Sequence, residues 1–239
     1  MNTISLLGRI RTVSYSNVKM LVFDMAGTTV NEHGIVYKTM YETLSNYGLG
    51  IKPADLDKWH GVHKYEVFEH FLSNNEIFNM HNDSKQEMLK NDINDRFNRS
   101  LKEKYFSSDE ITLIHEDLPL IFNNIRKNNI KIALNTGYNK DIQHLIIKKL
   151  SMNEFIDDYI SSEEVPKGRP YPFMINTLME RHGIENPNEV IKFGDTKVDV
   201  LEGINANCLA SVGVLSGADK ENMLTNSTIV IEDVTKIKL

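Results

Sequence analysis

The sequence predicts an α/β protein, a parallel sheet with a helical segment inserted after its first strand. Three observations carry that prediction. From residue 113 onward, short apolar runs alternate with helical patterns, and such alternation builds right-handed crossovers between parallel strands. Residues 34 to 112 show helical periodicity and no comparable strand run. Three of the strand-like runs end in polar residues suited to one site, Asp24, Thr136 and Asp195. A parallel sheet gathers such residues at one edge, because its strands share their carboxyl ends.

In chain order, residues 1–18 read as a polar N-terminal extension. The first strand, at about 19–24, contains Leu21-Val22-Phe23 and ends in Asp24, a composition that suits burial on both faces. Met25-Ala26-Gly27-Thr28-Thr29 then suits a tight turn whose amides and hydroxyls face an anion. Tyr37, Met40, Tyr41 and Leu44 recur at helical spacing, and Gly48 closes that helix as a C-terminal cap. Pro53 to Leu72 repeats the pattern through Leu56, Trp59, Val67, Phe68, Phe71 and Leu72. Asp83-Ser84 is positioned to cap a third helix reaching about Phe106, with Met88, Leu89, Ile93, Phe97 and Leu101 as its stripe.

Beyond the insert, helices are expected at 117–129, 140–150, 172–183 and 199–206. Strands are expected at 130–134, 159–161, 190–193, 209–214 and finally 228–231. The domain organisation that follows is an extension at 1–18, a core formed by 19–33 and 113–239, and a helical insert at 34–112.

Composition narrows the function classes. Hydrophobic residues make up 41% and charged residues 25% of the 239, as in water-soluble globular proteins. A net charge of −6 gives no support to nucleic-acid or acidic-membrane binding. No apolar run approaches the ~20 residues that cross a bilayer, and the first eighteen lack the apolar run of about 7–15 residues of a secretory signal. A cytoplasmic location is the expectation. The single cysteine, Cys208, excludes an intrachain disulfide and reads as a buried strand residue.

Two carboxylates, Asp24 and Asp195, with the Thr136 hydroxyl and a cation beyond strand 159–161, make a phosphate site that needs Mg²⁺. Hard carboxylate oxygens suit that ion, which takes one or two of them and keeps several waters. The hydroxyl and cation would hold the remaining phosphoryl oxygens and offset developing charge.

Asp24 with its turn, Thr136, Arg169 within Lys167-Gly168-Arg169-Pro170-Tyr171-Pro172, and Gly194-Asp195-Thr196 followed by Asp199 occur in order. Together they resemble the haloacid dehalogenase-like superfamily of phosphotransferring hydrolases, over nearly the whole chain from residue 19. The resemblance implies a Rossmann-like core with a helical cap inserted after the first strand. It also implies that Asp24 attacks phosphorus to form an aspartyl-phosphate, which water hydrolyses. Thr136 would bind phosphate and Arg169 would be the cation, with Lys167 as a substitute. Asp195 and the backbone carbonyl of Ala26 would join Asp24 in holding Mg²⁺, supported by Asp199.

Most phosphatases of this superfamily carry an acid two residues after the nucleophile, and here that position is Ala26. Asp24-Met25-Ala26-Gly27-Thr28-Thr29 resembles the phosphonoacetaldehyde hydrolase (phosphonatase) branch. There a lysine imine accepts the electron pair released when carbon–phosphorus bonds break. Trp59-His60-Gly61-Val62-His63-Lys64 resembles the branch's cap segment and makes Lys64 the imine former, against the alternative of a solvated helix lysine. A desolvated pocket would lower its pKa toward neutrality. Thr28 and Gly137 are expected to bind substrate, and Tyr138 either lines the pocket or packs in the core.

Three departures stand out. Val67 occupies the place of a proton-moving histidine, His60 that of a methionine, and a pocket cysteine near Gly34 is absent. His60 or His63 would take over proton transfer or lie on a helix surface. The expected substrate is a small phosphonate or phosphorylated compound, with cleavage of phosphonoacetaldehyde or a related carbonyl phosphonate as the leading reading. The alternatives are a phosphatase of a small phosphorylated metabolite and a catalytically weak phosphate-ligand binding protein. The resemblance also implies a homodimer through the cap, with the apolar side of the Trp59 helix as the contact.

Overall fold

A computed structural model of the chain describes residues 3–8, 12–59, 62, 64–107 and 111–238. In order it contains β1 (Thr3–Leu7), β2 (Thr12–Ser16), β3 (Met20–Asp24), β4 (Val30–Asn31), α1 (Ile35–Asn46), a 3₁₀ turn (Pro53–Trp59), α2 (Lys64–Ser73), α3 (Glu76–Asn79) and α4 (Asp83–Ser107). There follow β5 (Thr112–Leu113), α5 (Leu118–Lys127), β6 (Lys131–Thr136), α6 (Lys140–Lys149), β7 (Asp158–Ser161), α7 (Phe173–Arg181), β8 (Val190–Gly194), α8 (Lys197–Asn205), β9 (Ala210–Val214), β10 (Ile229–Ile231) and β11 (Ile237–Lys238).

Six strands form one sheet in the order β10-β9-β8-β3-β6-β7, and every ladder in it is parallel. The expected parallel α/β core is therefore present. β3 lies in the interior between β8 and β6, which is why its five residues are all buried. Phe23 stacks on Phe193 of β8 with ring centroids 4.5 Å apart and tilts against Phe122 of α5 at 4.7 Å. This packing anchors the strand whose last residue is Asp24. In the ladder Asp24 stands opposite Asn135 of β6, so Thr136 and the turn after β8 open at the same edge.

The helical run α1–α4 leaves and rejoins this core through a two-residue antiparallel ladder, Val30 to Leu113 and Asn31 to Thr112. The amide of Ile114 donates to the carbonyl of Thr29 at 2.9 Å beside it. Inside the insert, Met40, Leu44, Val67, Phe68, Ile93, Phe97 and Leu101 are buried, and Phe68 meets Phe97 edge to face at 5.1 Å. Gly48, at φ 71°, supplies the left-handed residue after α1.

Several local expectations need correction. Residues 3–7 and 12–16 are no polar tail; they pair as a hairpin, and β1 also pairs with β11. Ile4 and Leu6 face the core while their neighbours alternate outward, a period too short to read in isolation when its partner is the far end of the chain. β11 also means that 228–231 is not the last strand. Trp59 ends a 3₁₀ turn rather than lying on a helix, and its ring packs on His70 at 4.6 Å and Phe71 at 6.2 Å. Asp83 falls inside α4, where Asn82 supplies the cap by accepting from the Lys85 amide at 3.0 Å, and Met88 stands off the buried stripe, 55% exposed. Cys208 precedes β9 and is half-buried; burial pushes its thiol up to about 12. Among the described residues no helix is long and apolar enough to cross a membrane.

Candidate active site

Asp24 ends β3, Thr136 ends β6 and Asp195 follows β8, and all three are buried at the shared edge of the sheet. The turn after Asp24 differs from the anion cradle expected of it. The amides of Thr28, Thr29 and Val30 donate to the Met25 carbonyl, and that of Gly27 donates to the Val30 carbonyl. Four amides are thus consumed within the turn. Thr28 is fully buried, and its hydroxyl donates to Asp195 Oδ1 at 3.2 Å. That bond orients a carboxylate, and Thr28 stands outside the lining of the cavity described below.

Arg169 reaches this edge and faces three carboxylates there. Its Nη2 lies 2.6 Å from Asp24 Oδ1, its Nη1 2.8 Å from Asp199 Oδ1 and its Nε 3.3 Å from Glu202 Oε2. Nη2 also donates to the Asn135 carbonyl at 2.8 Å. Lys192, buried on β8, lies 3.1 Å from Asp199 Oδ1 and 3.4 Å from Glu202 Oε2 and donates to Asn135 Oδ1 at 2.7 Å. Asn135 Nδ2 in turn donates to both oxygens of Glu202, at 2.9 and 2.8 Å. Lys167, the substitute considered for Arg169, is exposed and lies over the Tyr171 ring at 4.7 Å.

Lys192, Asn135 and Glu202 escaped the sequence reading, though each left a signal. Lys192 is a charge in an otherwise apolar strand, and Glu202 follows Asp199 at the i+3 spacing that shares a helix face. A lone buried charge is costly, so such a lysine calls for carboxylate partners.

Asp24, Asp195 and Asp199 offer oxygens within 4.8 Å of one another. The buried cluster holds two cations, Arg169 and Lys192, against four carboxylates, so it is two charges negative when fully ionised. Burial raises the Asp24 and Asp195 carboxyls above the usual range, and Asp199 adds to both. Against its own burial, Asp199 is held low by Arg169 and Lys192. Backbone passes close to Asp195: a Cβ on Gly217 would sit 2.0 Å from its Oδ2, and one on Gly27 2.5 Å away. A divalent cation with a preference for hard oxygens fits this surplus negative charge, so the residues suit Mg²⁺.

A second cluster faces the same cavity, which measures about 370 Å³ and is lined by Asp24, Ala26, Glu32, Lys64, Gly137 and Tyr138 among others. Lys64, first residue of α2, is buried, which decides against a solvated lysine. Its Nζ donates to the Tyr37 hydroxyl at 3.0 Å and lies 4.7 Å from that ring's centre. Burial lowers its pKa to about 8, with Glu32 opposing the shift. Tyr138 is both pocket-lining and packed: its hydroxyl and that of Tyr105 each donate to Glu32 Oε2 at 2.5 Å. Its amide donates to Thr136 Oγ1 at 3.2 Å, which orients that hydroxyl. Glu32, Tyr37 and Tyr105 were not anticipated, because nothing in their spacing shows that they converge. His60 and His63 lie outside the described residues.

A family model for haloacid dehalogenase-like hydrolases matches residues 21–213. Among curated relatives, a phosphonoacetaldehyde hydrolase of Bacillus cereus is 27% identical over 220 residues, 85% of this chain and 78% of the relative. A bifunctional phosphonoacetaldehyde hydrolase/aminoethylphosphonate transaminase of Clostridioides difficile (strain 630) is 26% identical over 224 residues, 92% of this chain. The match spans about a third, 35%, of that relative's length. A crystal structure of a phosphonoacetaldehyde hydrolase-like protein from Oleispira antarctica shares the fold with a TM-score of 0.74 at 20% identity, covering 92% of this chain and 89% of that one.

Proposed function

The chain belongs to the haloacid dehalogenase-like hydrolases, and from that premise we propose that it cleaves the carbon–phosphorus bond of phosphonoacetaldehyde or a closely related carbonyl phosphonate. One observation carries the proposal. A buried lysine with its pKa lowered to about 8 shares a cavity with Asp24, and the residue two beyond Asp24 is an alanine. A phosphatase would place an acid there to protonate a leaving oxygen. An amine that is partly neutral near pH 8 is instead suited to attack a carbonyl.

In the proposed reaction the neutral Lys64 amine adds to the substrate carbonyl, and loss of water leaves an iminium. Arg169 holds Oδ1 of Asp24 and aims Oδ2 at phosphorus. As that oxygen–phosphorus bond forms, the carbon–phosphorus bond breaks and its electron pair passes into an enamine. Protonation of the enamine carbon and hydrolysis of the imine release the aldehyde, and water hydrolyses the aspartyl-phosphate. Thr136 and Gly137 bind the phosphoryl oxygens. Asp24, Asp195 and the Ala26 carbonyl would hold Mg²⁺, with Asp199 in support; the bound ion supplies charge neutralisation at the phosphoryl group.

The test is borohydride trapping with phosphonoacetaldehyde, read by intact mass and peptide mapping. We expect an adduct on Lys64, none in Lys64→Arg, and phosphate release that stops with a chelator. Phosphate released from ordinary esters with no Lys64 adduct would overturn the proposal in favour of a phosphatase.

A further inference from the structure

Imine chemistry needs a proton carrier as well as an amine: the ammonium must lose a proton, and the hydroxyl of the carbinolamine must gain one to leave as water. The helix that bears Lys64 offers none on its next turn, where Val67 and Phe68 are buried in the apolar packing of the insert. Of the cavity's carboxyls, Asp24 is committed to Arg169, and Asp195 accepts from Thr28 and from the Ala218 amide at 2.7 Å. Glu32 remains. It is 7% exposed and lines the same cavity as Lys64. Both tyrosine hydroxyls bond its Oε2, and among the described residues no hydrogen bond engages Oε1.

We propose that Glu32 carries the proton for Lys64, accepting it from the ammonium and delivering it to the carbinolamine hydroxyl. This rests on the imine reading above. The step balances: Lys64-NH₂ adds to the aldehyde to give a carbinolamine, and the Glu32 carboxylic acid protonates its hydroxyl. The C–O bond then breaks, water leaves, and an iminium and a Glu32 carboxylate remain. Hydrolysis of the product imine runs the same transfers in reverse, so the carrier is regenerated in each turnover.

The surroundings suit that work. Burial raises the Glu32 carboxyl above the ordinary carboxylate range, while the Tyr105 and Tyr138 hydroxyls, and then Lys64, pull it back. Burial lowers Lys64, while Glu32 pulls it back. The two ordinary values are thereby drawn toward each other, which eases exchange of one proton between the groups. The charged and titratable groups facing Glu32 are Tyr105 from α4, Tyr138 after β6, Lys64 from α2 and Asp24 from β3. His33, exposed and also lining the cavity, is the rival carrier among the described residues, with His60 and His63 as further rivals.

The experiment measures the single-turnover rate of borohydride-trappable adduct with phosphonoacetaldehyde across pH, in wild type, Glu32→Gln, Glu32→Ala and the His33→Gln, His60→Gln and His63→Gln variants. Glu32→Gln keeps the side chain's size and an acceptor for the tyrosines. We expect its trapping rate to fall on the order of a hundredfold or more, with the adduct still on Lys64. Formate is expected to restore part of the rate to Glu32→Ala, which a packing role would not allow. Wild-type trapping rates in Glu32→Gln, or a loss confined to a histidine variant, would overturn the proposal while leaving the Lys64 reading intact. No adduct in the wild type would overturn both.

Discussion

Two ionisable clusters face one cavity and are built on opposite terms. At the sheet edge, Arg169 and Lys192 are surrounded by Asp24, Asp199, Glu202 and Asn135, with several contacts for each cation. Toward the insert, Lys64 has a tyrosine hydroxyl, and Glu32 has two. The two cations hold the Asp199 carboxyl low, and Arg169 fixes the position of Asp24. Sparse solvation does the reverse for Lys64, destabilising the ammonium so that a neutral amine is accessible. The difference shows how one chain can hold buried carboxylates with compensating charge at one end of a cavity and leave a buried amine short of compensation at the other.

Removing one cation from each cluster should therefore change stability in opposite directions. The largest effect is expected for Lys192→Met, which leaves Asp199 and Glu202 with Arg169 as their one remaining cation among the described residues and should cost about 3–5 kcal/mol in chemical denaturation. A loss under about 1 kcal/mol would show that the sheet-edge network is not what holds these groups.

Lys64→Met should instead stabilise the protein near neutral pH, by as much as about 3 kcal/mol, since it removes a buried ammonium whose pKa falls from 10.5 to about 8. The sign follows from linkage. Between about 8 and 10.5 the unfolded chain binds more protons at this site than the folded one, so the Lys64 contribution to stability rises with pH across that window. Urea midpoints measured from pH 7 to 10 should show the slope in the wild type and lose it in Lys64→Met.

A smaller effect is expected from the metal. Mg²⁺ at about a hundred times its dissociation constant should stabilise the wild type by about 2.7 kcal/mol, seen as a raised thermal midpoint. Asp195→Asn should abolish most of that gain. An equal shift in the variant would move the ion away from the sheet edge.

Local patterns made the framework legible. Apolar runs ending in Asp24, Thr136 and Gly194-Asp195 placed three parallel strands and their shared edge, because strand and helix periods are short-range properties of a sequence. Lys64 was legible through a resemblance over six residues. What escaped depends on distance. The hairpin of residues 3–16 is completed by Ile237–Lys238, and Glu32 meets Tyr105 and Tyr138 only once the insert has folded onto the sheet. The turn after Asp24 escaped for a different reason. A Gly-Thr-Thr turn is compatible with amides aimed at a ligand or at its own carbonyls, and here the Met25 and Val30 carbonyls take them.

The short ladder between β4 and β5 ties together the two strands through which the insert joins the core. Rocking about that pair, next to Glu32, would be the motion of the insert that this connection permits most easily. Such rocking would carry Lys64 and Tyr105, on the insert, away from Tyr138 and Asp24, on the core. Water admitted by that movement would hydrate the ammonium and return Lys64 toward its ordinary basicity. On the imine reading proposed above, Lys64 would be the better nucleophile with the insert seated over the cavity, and adducts with passing aldehydes would form more slowly with the insert swung away.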